Sequence, residues 1–115
     1  MRNLQEWLYG FALALILTTQ PLQAQKLIKD SKELTELRAK AESGDASAQF
    51  NLGNSYRKGE GVTKDDVQGY MWFLLAGVQG TELAKKNIEI IKNMMTPEQI
   101  AEGQKLAREF KPRKP

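Results

Sequence analysis

Apolar residues along this chain recur with a helical rather than a sheet period, and glycine or proline interrupts them at intervals. Leu34, Leu37 and Ala41 mark one face of a first helix, which Asp30 can cap, with Glu33 three residues on to reach back to it. Gly44 ends that helix with the left-handed termination glycine favours. Its stripe is narrow, as suits a terminal helix covered on one side. A second helix is predicted over about 46–58, with Ala48, Leu52 and Tyr56 four residues apart, and it runs into a Gly59-Glu60-Gly61 turn. The third, over about 65–79, carries Val67, Tyr70, Met71, Leu74, Leu75 and Val78 at helical spacing, and Trp72, Phe73 and Ala76 widen the stripe almost all round. A helix so apolar needs neighbours on more than one side.

A fourth helix is predicted over 81–95. Ala84, Ile88, Ile91 and Met95 form one edge, and Leu83, Ile90 and Met94 a second, expected to pack on the third and final helices. The final helix has a strong start in Thr96-Pro97-Glu98-Gln99: a threonine cap, proline in the first turn, and glutamine at the third position. Its inner face is Ile100, Gly103, Ala107 and Phe110, and Pro112 stops it. Thr63 and Asp66 fit a capping box at the start of the third helix.

Shifting the chain by 36 residues, the spacing of Gly44 and Gly80, aligns Leu34 with Tyr70, Leu37 with Phe73 and Ala41 with Gly77. The same step aligns Ala48 with Ala84, Asn51 with Asn87 and Leu52 with Ile88. A period in this range signals stacked helix pairs. The chain divides into a half repeat over 30–44, a full repeat over 45–80, a divergent closing pair over 81–110 and a basic tail over 111–115. An all-α architecture of about five helices is expected after residue 24.

Residues 1–24 have the pattern of a secretory signal: Arg2 near the start, a short apolar run from Leu8 to Leu17, and a small residue, Ala24, at the end. The run is shorter than the roughly 20 residues a membrane span needs. Cleavage after Ala24, leaving residues 25–115 in the periplasm or outside the cell, is expected, with an uncleaved anchor as the alternative. The absence of cysteine excludes disulfides and a lipid-modified amino terminus.

With neither histidine nor cysteine, most zinc sites, thiol nucleophiles and serine–histidine pairs are excluded. No cofactor or metal site is expected. The one tight acidic cluster, Asp65-Asp66 with Glu60 nearby, could do acid–base work in a small envelope hydrolase, or simply complement the exposed amides of a helix start. The glycines follow no strand and precede no lysine–serine pair, so they form no phosphate loop. Tyr56, Tyr70, Trp72 and Phe73, at helical spacing, read as core. A net charge of +3 is too small to imply nucleic acid without a concentrated patch. Charge concentrates only at Lys105, Arg108, Lys111, Arg113 and Lys114, which suit either a solvated tail or an acidic surface.

Ala48, Leu52-Gly53, Tyr56, Gly59, Gly61-Val62, Asp65, Trp72, Ala76 and Gly80 stand in the order and spacing of a Sel-1-like repeat. The chain resembles that family, relatives of the tetratricopeptide repeats, over one full unit with partial copies on either side. Gly69 and Gly77 depart from it, since alanine is usual at both positions, and Gly69 should loosen the third helix. The resemblance implies a right-handed superhelix of stacked helix pairs serving as an adaptor in protein complexes, with no catalysis. The first helix of each pair would line the concave face, leaving Asn51, Asn54, Lys58 and Asn87 free to contact a protein or peptide partner. Local backbone bonding is the competing role for Asn51. A monomer with a shallow groove, making no contact with nucleic acid and with no membrane span after cleavage, is the expected form.

Overall fold

The computed structural model describes residues 31–114, and among these five helices and no strand are present. The expected signal segment and the Asp30 cap lie outside the described residues. Helix α1 covers 31–42, α2 is Ala46–Lys58, α3 Asp66–Val78, α4 Glu82–Lys92 and α5 Pro97–Glu109. Of the described residues, 34–114 belong to one unit.

Local chemistry sets the boundaries. Asp45 caps α2 by accepting from the Ala48 amide at 2.8 Å. Asp65, not Thr63, caps α3, accepting from the Gln68 amide at 3.1 Å. Asp66 is then the first helical residue, and its carboxylate is 2.6 Å from Lys64 Nζ. Aspartate outranks threonine as a cap, and the chain starts its helix one residue after it. Thr96 and Gln99 make the reciprocal capping box expected for α5. Thr81 stands before α4 but makes no side-chain cap. Helix α4 ends at Lys92 rather than Met95, because the amides of Met94 and Met95 bond three residues back, to Ile91 and Lys92, and tighten the chain into a turn. Gly44 and Gly80, which the 36-residue shift superposes, have φ of 104° and 100°, a conformation that glycine adopts without a steric cost.

Helix α3 is the hub, packing against α2, α4 and α5. Its Met71 and Trp72 join Ala41, Ala48 and Leu52 in one cluster, with Leu37, Tyr56 and Phe110 against it. Its Tyr70 and Phe73 join Ile91 in a second, with Phe50, Ile88 and Ile100 around them. This near-complete burial answers the all-round apolar pattern of the sequence. Tyr70, Phe73, Leu52 and Ile91 are fully buried, contributing about 1.5–3 kcal/mol each. Val78 departs from its expected place in the stripe: it is the last residue of α3 and is 88% exposed, past the reach of the packed helices.

Three glycines are placed at close approaches. A Cβ on Gly53 would lie 2.7 Å from the Phe73 ring and 3.2 Å from the Gly69 carbonyl oxygen. A Cβ on Gly69 would in turn meet the Gly53 carbonyl oxygen at 3.2 Å and the Arg57 amide at 3.4 Å. Helices α2 and α3 therefore cross glycine against glycine, backbone to backbone. Gly103 similarly lets α5 settle against the edge of the Tyr70 ring, where a Cβ would stand 2.5 Å from Cδ1. The absence of a side chain at Gly69 thus permits tight packing of α3, where the sequence alone suggested a looser helix.

Candidate functional site

Helices α2 and α4 meet through a side-chain bond among the described residues. Asn87 Nδ2, on α4, donates to Asn54 Oδ1, on α2, at 3.3 Å. The same oxygen accepts from Arg57 Nη2 at 3.4 Å. Arg57 Nε is buried and has no partner among the described residues. Of the four residues singled out in the sequence, the structure thus joins Asn54 and Asn87 in a half-buried pair. Asn51 and Lys58 lie exposed on α2, at positions i−3 and i+4 from Asn54, on one face. The Asn51 backbone carbonyl accepts from the Ser55 hydroxyl at 3.2 Å, whereas its side-chain amide makes no bond among the described residues.

The apolar row beside that pair is the second edge of α4, which the sequence suggested would pack on a neighbouring helix and which the structure leaves exposed. Leu83, Ile90 and Met94 are 59%, 48% and 63% exposed. Leu83, Asn87 and Ile90 recur at i, i+4 and i+7 and share one face of α4. The packing row Ala84, Ile88 and Ile91 is turned about 100° from them, one residue round the helix. The second edge of α4 is therefore open to solvent, because α3 takes the first edge. The readable signal was the row itself, whose spacing repeats that of the buried one.

Neither family models nor curated proteins match the sequence.

The acidic cluster is engaged in local structure, as its capping and ion-pair contacts show, and Glu60 is exposed in the α2–α3 loop. Among the described residues no group of three or more acidic side chains could hold a metal ion. No helix among them is long and apolar enough to cross a membrane. The basic tail is partly docked. The Arg113 amide donates to the Glu42 carbonyl at 2.7 Å, and its guanidinium stands 3.6 Å from the Glu42 carboxylate. Just before it, Phe110 packs edge-on against Trp72 with ring centroids 5.6 Å apart.

Proposed function

We propose that this chain is an exported Sel-1-like interaction module, a short right-handed solenoid that recruits a protein or peptide partner and performs no catalysis. Partner contacts fall on the α2–α4 face, at Asn51, Asn54, Lys58 and Asn87, together with the apolar row of α4. The carrying observation is that Leu83 and Ile90 of α4, and Met94 in the turn after it, are exposed next to a polar pair already held in place. Fully burying each contributes about 1.5–3 kcal/mol, and clustered apolar exposure marks an interaction surface. Asn51 and Lys58 supply free polar groups at its border, and an asparagine amide can both donate to and accept from an extended backbone. The carboxylates Asp65 and Asp66 are occupied in starting α3, which favours a structural role for them over acid–base chemistry.

The test is chemical crosslinking in the native cell envelope, comparing the parent chain with Leu83→Lys and Ile90→Lys. Both positions are exposed, so the fold should survive, which circular dichroism verifies. Loss of the crosslinked species in both variants is the expected outcome. An unchanged crosslink pattern with intact helicity would place the partner elsewhere. Amino-terminal sequencing of the same material should begin at Gln25, and an intact Met1 in the envelope fraction would favour the anchored form.

A further inference from the structure

A groove of about 740 Å³ lies among the carboxyl-terminal ends of α1, α3 and α5, with Gln49 of α2 also in its lining and no residue of α4. Its apolar walls are Leu74, Leu75 and Val78 from α3, Ala107 from α5, and Phe110 and Pro112 from the tail. The tail wall is held by the Arg113–Glu42 backbone bond and by the Trp72–Phe110 contact. The volume is within the roughly 300–1,000 Å³ of small-molecule sites.

The polar groups of this groove define what can enter it. Gln79 Nε2 donates to the Gly44 carbonyl and to Gln49 Oε1, both at 2.9 Å. Gln49 Nε2 donates to the Ala41 carbonyl at 3.1 Å, and Gln104 Nε2 to the Tyr70 hydroxyl at 3.2 Å. Each lining amide nitrogen thus donates within the protein, as the Ser43 hydroxyl does to the Lys40 carbonyl at 2.7 Å, which leaves few donors for a peptide carbonyl. Arg108 also lines the groove; it is exposed and has no ion-pair partner among the described residues. No carboxylate lines the groove. The walls therefore suit an apolar chain free of amides, and the one unopposed charge suits a single anionic head.

We propose that this groove binds a medium-chain alkyl carboxylate, its chain along Leu74, Leu75 and Phe110 and its carboxylate at the Arg108 guanidinium. A guanidinium fork matches carboxylate geometry. The site is separate from the α2–α4 face, with no residue in common, so either can fail without the other.

Isothermal titration of the full chain with decanoate, decanol, decyltrimethylammonium and an acetylated leucine tripeptide tests it. Decanoate should bind best, with a Kd below about 1 mM. Arg108→Gln should weaken decanoate about two- to fivefold, the size of a surface charge effect, and leave decanol unchanged. Val78→Asp, at an exposed rim position that should not disturb the core, should weaken decanoate by a similar factor. A decanoate Kd above about 1 mM would overturn the proposal. So would equal or tighter binding of any of the other three probes, or insensitivity of decanoate to both substitutions.

Discussion

Replacing Gly53 by alanine puts a methyl group into the tightest part of the α2–α3 crossing, and the outcome can be worked from the surrounding distances. The new carbon would lie 2.7 Å from two atoms of the Phe73 ring, 0.7 Å inside the 3.4 Å at which ordinary contact begins. On its other side the Gly69 carbonyl oxygen is 3.2 Å away. Phe73 is fully buried and has Phe50 beside it at a centroid distance of 6.0 Å, so the ring has no free space to swing into. The helices must then separate, at an overpacking cost of about 1–3 kcal/mol. Alanine returns about 0.5–1 kcal/mol through its better helix propensity. At the midpoints the difference is a net loss of about 1.3 kcal/mol, or about 5–10 °C in Tm at the roughly 4–8 °C per kcal/mol expected for a domain of this size. Thermal unfolding followed by circular dichroism measures it, with Gly77→Ala as the control. A Cβ there meets only the Ile88 and Lys85 side chains, at 3.3 and 3.6 Å, and both can yield. The control should match or exceed the parent Tm. If Gly53→Ala melts at or above the parent, the glycine-to-glycine crossing is wrong.

Gly69→Ala should lower Tm as well, because its methyl would press on Ile91 Cδ1 at 3.1 Å and on the Gly53 carbonyl oxygen at 3.2 Å, the latter being backbone that cannot rotate away; a higher Tm would restore the reading of Gly69 as a loose point. Asp65→Ala should cost about 0.5–2 kcal/mol through loss of the α3 cap while Asp65→Asn costs little, and equal losses in a denaturant titration would argue against capping. Asn87→Ala, which removes one of the two bonds that Asn54 Oδ1 accepts, should cost about 0.5–1.5 kcal/mol, whereas Asn51→Ala should leave the same titration unchanged. Light scattering on residues 25–115 should report a monomer, and a stable dimer at micromolar concentration would mean that the open edge of α4 takes a second copy.

Much of the helical layout was legible in the sequence because helix starts and stops are local. A cap and its amide lie within four residues, as at Thr96 with Gln99, and a left-handed turn needs only a glycine, as at Gly44 and Gly80. The burial of α3 was legible for a related reason: apolar residues on every side leave few ways of shielding them except to surround the helix. What α4 does with two apolar edges was not legible. Both edges carry the same residue types at the same spacing, so only the position of α3 and α5 could select Ala84 and Ile91 for burial and leave Leu83 and Ile90 in solvent. The Asn54–Asn87 bond likewise joins residues 33 apart and depends on how two helices come together. The glycines show the same division. A turn glycine follows from its own backbone angle, but Gly53, Gly69 and Gly103 answer to side chains and backbone brought to them by other helices. Only the tertiary structure sets those distances, because each is the residual gap between two helices whose spacing is fixed by all the other side chains between them.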